Sequence, residues 1–155
     1  MKIQWKKFIP SILIPLAVGG LSALVTRESM EVYKSIQRPP LAPPGWLFPI
    51  VWSILFILMG VSAYRVAISQ SPKKRAALWL FGVQLAVNFV WPILFFNLQD
   101  YLFAFCWLCL LWVLILTMVV VFSRIDKAAG YLQLPYLLWV TFAGYLNLGV
   151  YLLNR

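Results

Sequence analysis

The sequence predicts an all-α integral membrane protein: a five-transmembrane-helix bundle forming a single domain over residues 1–155. Three observations predict it. Hydrophobic residues make up 63% of the chain and charged ones only 11%, against about half and about a quarter in an ordinary soluble domain. Mean hydropathy is +0.88, and a small soluble fold cannot hide that much apolar surface from water; the excess must face lipid. Five apolar runs each reach the roughly 20 residues that a spanning helix requires. The charges cluster at the ends of these runs, and none lies in the middle of one.

The first run, 8–26, follows Lys2, Lys6 and Lys7 and is closed by Arg27 and Glu28. Its basic start and the small residues between Gly19 and Ala23 also fit a signal peptide, which composition alone does not separate from a span; an uncleaved helix is expected. The 28–45 link is the longest. It carries Arg38-Pro39-Pro40-Leu41-Ala42-Pro43-Pro44-Gly45, whose prolines fix φ and favour an extended path. Loops of this length act as lids or binding segments, and a stiff spacer is the equal alternative. The second run, 46–68, has Arg65 near its end, where it can snorkel to the interface. The 69–75 link holds Pro72, Lys73, Lys74 and Arg75. The third run, 76–98, contains Pro92, read as a kink directly after Trp91. Only Gln99-Asp100 separates it from the fourth, 101–123, so these two helices are antiparallel neighbours. The 124–130 link leads to the fifth run, 131–153. Pro15, Pro49 and Pro135 are tolerated where neighbouring helices re-satisfy the backbone.

Orientation follows from charge. Lys2, Lys6, Lys7, Arg65, Lys73, Lys74, Arg75, Arg124 and Lys127 fall on one side, and Arg27, Lys34, Arg38 and Arg155 on the other. The richer side is expected in the cytoplasm, with the N-terminus; the proline-rich loop and the C-terminus face the opposite side. The net charge of +9 is thereby assigned to headgroups and topology, and no nucleic acid partner is expected.

The chain has no His, four acids and two Cys. A His-based triad and a His-ligated zinc or haem site are impossible, and no metal site is expected. Cys106 and Cys109 read as small buried packing residues rather than a redox pair.

Aromatic residues reach 17%, with eight Trp. Trp5, Trp46 and Trp79 lie near run ends, where interface belts account for them. Trp52, Trp91, Trp107, Trp112 and Trp139 lie deeper, and a deep indole N–H wants a partner. Trp52 and Phe56, four apart, share a helix face. Gln84, Asn88 and Trp91 form a second stripe, and Trp139, Ala143 and Leu146 a third, with Asn147 beside it. Polar groups at such depth face the bundle interior or a cavity. Two readings stay open: bonds between helices, or the wall of a cavity for a large planar apolar ligand. Gly82 with Ala86, and Gly19 with Ala23, are small-xxx-small pairs that permit close helix approach.

At these residues the sequence resembles the tryptophan-rich sensory protein family, bacterial relatives of the mitochondrial translocator protein or peripheral benzodiazepine receptor. The matching stretches are Arg38-Pro39-Pro40 with Pro44-Gly45-Trp46, Phe48-Pro49-Ile50-Val51-Trp52 running to Met59-Gly60, and Gln84-Leu85 with Asn88, Trp91-Pro92 and Phe95-Phe96. Pro135-Tyr136-Leu137 with Trp139, Phe142-Ala143 and Leu146-Asn147 complete the set. Each stretch alone is weak; their order and spacing are specific.

The resemblance implies a five-helix fold, a homodimer through the third helix (Gly82, Ala86), and a first loop folded over a ligand cavity. It implies porphyrins and benzodiazepine-site drugs as ligands, with no obligatory cofactor, and residence in a bacterial cell membrane. By motif it places Trp52, Phe56, Asn88, Trp91, Cys106, Trp139, Ala143 and Leu146 in the wall and Tyr33 and Pro43 in the lid. It further implies light-dependent protoporphyrin breakdown, with Trp52 and Trp139 as electron donors. With no His, metal-free porphyrin fits best, and its carboxylates would want a cation among Arg27, Lys34 and Arg38. Transport of porphyrins or similar hydrophobic molecules is the alternative role. Leu148, Tyr151 and Arg155 match a sterol pattern of animal relatives, but an ordinary interface anchor is the reading preferred.

Overall fold

Hydrocarbon offers no partner for backbone N–H and C=O groups, so a chain this apolar satisfies them within helices. The computed structural model describes residues 2–155, and the regular elements among them are all helical: α1 (Trp5–Thr26), α2 (Glu31–Ser35), α3 (Leu47–Ala67), α4 (Lys74–Pro92), α5 (Tyr101–Ile125), α6 (Lys127–Leu132) and α7 (Leu134–Asn154). Five helical segments are long and apolar enough to cross a membrane. The fold class read from the sequence, an all-α bundle of five spanning helices, is the one observed.

Two links differ from expectation. The 28–45 link is not extended throughout. α1 passes through a 3₁₀ turn, Arg27–Met30, into α2, because residues 27–35 contain neither Gly nor Pro and the prolines begin only at Pro39. The 124–130 link likewise holds a short helix, α6. Asp126 starts it by accepting hydrogen bonds from the backbone N–H groups of Ala128 and Ala129, which satisfies donors that a helix start leaves open.

Pro92 acts as expected but by widening the helix. Without an N–H it cannot bond the carbonyl four residues back, and the chain continues as a π-helical turn, Ile93–Asn97. Leu98 N–H then bonds the Ile93 carbonyl at 3.0 Å. Gln99 takes the left-handed conformation (φ 52°), and Asp100 caps α5 through the Phe103 N–H. The turn carries Leu94, Phe95 and Phe96 inward.

At the basic end, the Gln4 N–H donates to Tyr64 Oη at 2.9 Å and Ser62 Oγ donates to the Ala129 carbonyl at 2.7 Å. Arg65 meets Asp126 at 3.1 Å; this partly exposed pair is worth roughly 0–1 kcal/mol, so it orients the helix ends more than it holds them. α1 lies close against α3 because Gly60 lets the Ser11 carbonyl and the Ile12 backbone approach where a Cβ would collide. The main core lies between α3, α4, α5 and α7 around Met59, Leu111, Ile115, Met118 and Phe122, all buried. Outward faces carry exposed Leu13, Leu24, Ile54, Val113 and Leu138, the inverse of a water-soluble surface and the natural one toward lipid.

Candidate functional site

A cavity of about 580 Å³ lies at the loop end of the bundle. α1 contributes Gly19, Ala23 and Thr26 to its wall; α3 contributes Phe48, Trp52 and Phe56. α4 and its π turn supply Asn88, Trp91 and Phe95, and α7 supplies Trp139, Ala143, Leu146 and Asn147. The 27–45 segment closes the open end with Tyr33, Arg38 and Pro39, and Arg27 reaches the same rim. Helical periodicity explains the convergence: each contribution is a stripe spaced three or four residues apart.

The aromatic rings lock one another. Trp52 stacks on Phe56 with centroids 5.5 Å apart and meets Tyr136 edge-on at 6.2 Å. Phe48 links lid to wall, edge-on to Tyr33 at 5.1 Å and to Trp139 at 5.9 Å. Offset and edge-to-face pairs of this kind each add about 0.5–1.5 kcal/mol beyond simple burial.

Polar groups inside the bundle pair across helices. Tyr136 Oη donates to Gln84 Oε1 at 2.6 Å and accepts from Asn88 Nδ2 at 2.7 Å. Trp91 Nε1 donates to Asn147 Oδ1 at 2.9 Å, and Asn147 Nδ2 donates to the Tyr101 carbonyl at 2.8 Å. The two readings left open by the sequence therefore coexist: Asn88, Trp91 and Asn147 tie helices together and also line the cavity. Gln84, fully buried, does only the first. Trp107 donates to the Val87 carbonyl and Trp112 to Thr141 Oγ1, each at 2.8 Å. The Trp139 Nε1–H is buried without a protein partner.

The loop is strapped to α7. The Gln37 N–H donates to Asn154 Oδ1 and Asn154 Nδ2 donates back to the Gln37 carbonyl, at 3.0 and 2.7 Å. Tyr145 Oη donates to the Pro40 carbonyl, and Pro39 packs on Gly149, where a Cβ would lie 2.6 Å from its ring. Within the loop, Tyr33 Oη donates to the Pro43 carbonyl at 2.6 Å, and the Arg38 guanidinium sits over the Tyr33 ring at 4.8 Å.

The structure brings Tyr33, Trp52, Phe56, Asn88, Trp91, Trp139, Ala143 and Leu146 together around one cavity. Cys106 falls elsewhere: it is exposed on the outer face of α5, and Cys109 is exposed with it, so neither is the buried packing residue expected. Pro43, expected in the lid, lies in the loop, where its carbonyl accepts from Tyr33 Oη; it does not itself line the cavity. Of the three cations considered, Lys34 points away and pairs with Glu31 at 3.6 Å. The sequence reading assigned no role to Tyr136, Gly149 or Asn154. Tyr136 carries a signal in hindsight, since a hydroxyl in the fifth apolar run needs a partner.

This arrangement defines a class: a multi-pass integral membrane protein with an aromatic-walled cavity under a strapped loop. The chain matches the TspO/MBR family over residues 11–153. It is 38% identical over 142 residues to the tryptophan-rich protein TspO of Chlorobaculum tepidum, covering 90% of each chain. It is 41% identical over 124 residues to protein CrtK of Rhodobacter capsulatus (79% of this chain, 78% of that one). To the translocator protein of Bos taurus it is 32% identical over 151 residues, covering 95% of this chain and 89% of the other. The chain belongs to the TspO/MBR family.

Proposed function

We propose that this protein is a membrane receptor that holds a protoporphyrin-type tetrapyrrole, and ligands of the benzodiazepine site, in the aromatic cavity. The supporting observation is a space of about 580 Å³ walled by Trp52, Phe56, Trp91, Phe95 and Trp139. It falls within the roughly 300–1,000 Å³ of small-molecule sites. Flat rings on several sides suit a flat apolar guest, and Asn88 supplies one polar contact in the wall. Relatives named as a sensory protein and as translocator proteins support a receptor or carrier role. A homodimer through α4 is part of this reading: Gly82 and Ala86 both lie on its outer face, and nothing within 4 Å would meet a Cβ at Gly82. So is an N-terminus in the cytoplasm of a bacterial cell.

Light-dependent porphyrin breakdown is the accompanying activity, with porphyrin as substrate. A photo-excited ring takes an electron from an adjacent indole and passes it to dioxygen. A ground-state ring electron then re-reduces the indole radical cation, and the ring radical cation combines with superoxide. The net change is porphyrin plus dioxygen to an oxygenated, ring-opened product. Trp52 and Trp139 are the donors on this reading. The Trp139 N–H has no protein partner, unlike those of Trp91, Trp107 and Trp112. Titration with protoporphyrin should quench Trp fluorescence saturably, and the W52F/W139F variant should bind yet lose porphyrin more slowly under light. A linear quench would remove the binding site; unchanged photoloss would remove the photochemical role.

A further inference from the structure

We infer that Arg27 and Arg38 form a cationic rim that selects ligands bearing carboxylates on one edge of an apolar body. The inference rests on the tetrapyrrole reading and names the chemical feature that orients the guest.

Arg27 and Arg38 both border the cavity, and among the described residues they are the only charged ones in its lining. The ion pairs among the described residues are Lys34–Glu31 and Arg65–Asp126, so neither rim cation has a carboxylate partner. The two acids of the same segment do not neutralise them. Glu31 is engaged by Lys34 on the solvent side, and Glu28 is exposed without an ion pair. The Arg38 guanidinium is held over the Tyr33 ring at 4.8 Å, and Tyr33 is itself fixed by the Pro43 carbonyl at 2.6 Å. An arginine serving only as an interface anchor would not need this seat. A cation–π contact leaves the guanidinium edge, with its N–H donors, free for a second partner.

The combination has directional consequences. An apolar guest inserted between Trp52 and Trp139 can be reversed end for end at little cost. A guest with carboxylates on one edge cannot, because charge-assisted, fork-shaped pairing with arginine exists only at the mouth. Carboxylates pushed to the deep end would meet Leu16 and Phe56 and lose their solvation. The rim therefore fixes which edge of the ring lies against the deep aromatic wall. A lipid phosphate offers the same anionic chemistry; the ligand's own carboxylates are the assignment made here, since both cations border the cavity.

The test uses the full-length protein in neutral detergent, titrated with protoporphyrin diacid and with its dimethyl ester, which has the same ring and no charge. Wild type should bind the diacid about tenfold more tightly than the ester, the order expected for a charge-assisted pair at a partly wet site. R27Q/R38Q should leave ester affinity in place and bring the diacid down to it, whereas R27K/R38K should keep part of the preference. The preference should shrink with added salt. Equal affinity for diacid and ester in wild type would overturn the inference while leaving the tetrapyrrole site standing. So would an equal loss of both ligands in R27Q/R38Q, which would mark the pair as a structural brace. Arginine-dependent binding of phosphatidylglycerol with no diacid preference would assign the rim to headgroups and overturn it too. Absence of saturable quenching by either porphyrin would remove the tetrapyrrole reading itself.

Discussion

Replacing Tyr136 by Phe removes one oxygen from the centre of the bundle, and its cost can be worked from the structure. That hydroxyl donates to Gln84 Oε1 at 2.6 Å and accepts from Asn88 Nδ2 at 2.7 Å. Tyr136 is 1% exposed and Gln84 0%, so water does not replace the lost bonds without a cavity opening. Each neutral bond is worth about 0.5–1.5 kcal/mol net, and interhelical bonds in membranes average nearer 0.6 kcal/mol. The stranded Gln84 oxygen adds a desolvation penalty, whereas Asn88 borders the cavity and can be hydrated. The expected loss is about 1–3 kcal/mol, read as a shift in unfolding on titrating denaturing detergent into mixed micelles. Q84L in the Y136F background should then cost less than Q84L alone, because the stranded acceptor is gone; the coupling should be about 1 kcal/mol. Single costs below about 0.5 kcal/mol, or additivity within that margin, would refute the network as a structural tie.

Three further outcomes follow from named contacts. G60L places a side chain against the Ser11 and Ile12 backbone, and backbone yields less readily than a side-chain tip; stability should fall by about 1–3 kcal/mol or more in the same unfolding assay, while G20L, whose position is open, should change it little. G149V drives a methyl into Pro39 and should loosen the loop, seen as faster protease cleavage within residues 36–46 and faster release of bound protoporphyrin in stopped flow. C106A should leave the protoporphyrin dissociation constant unchanged, since Cys106 lies on the outer face of α5; a clear weakening would return that residue to the site.

The loop shows why a link resists sequence reading. Proline counting describes residues 39–44 well, but residues 27–35 have ordinary helical propensity and simply prolong α1 through a 3₁₀ turn into α2. Nor can composition reveal the strap: Gln37 and Asn154 are 117 positions apart, the first an unremarked polar residue within a link and the second one just past an apolar run. The small residue Gly149 is legible as permissive, yet what it permits, the seat of Pro39, belongs to tertiary structure.

The wall residues divide on a different principle. In water an apolar stripe on a helix points inward, because burial is what it gains. In lipid both directions are apolar, so periodicity locates a stripe without saying which way it faces. Polar side chains then act as the compass, since hydrocarbon penalises them and the bundle interior does not. α4 carries Gln84 and Asn88, and Trp91 faces the cavity beside Asn88. α7 carries Tyr136 and Asn147, and Trp139, Ala143 and Leu146 lie on the cavity side. Between Tyr101 and Thr117 the polar groups of α5 are the indole N–H groups of Trp107 and Trp112, which bond to α4 and α7, and Cys106 and Cys109, whose weak polarity gives no bearing. It is on α5 that the sequence reading put a wall residue on the lipid face. A polar probe supplies the missing bearing: C106N should destabilise the bundle by forcing an amide toward acyl chains, whereas A143S, at a wall position, should be accommodated within about 0.5 kcal/mol. Equal costs at the two sites would mean that this face of α5 is covered by protein rather than lipid.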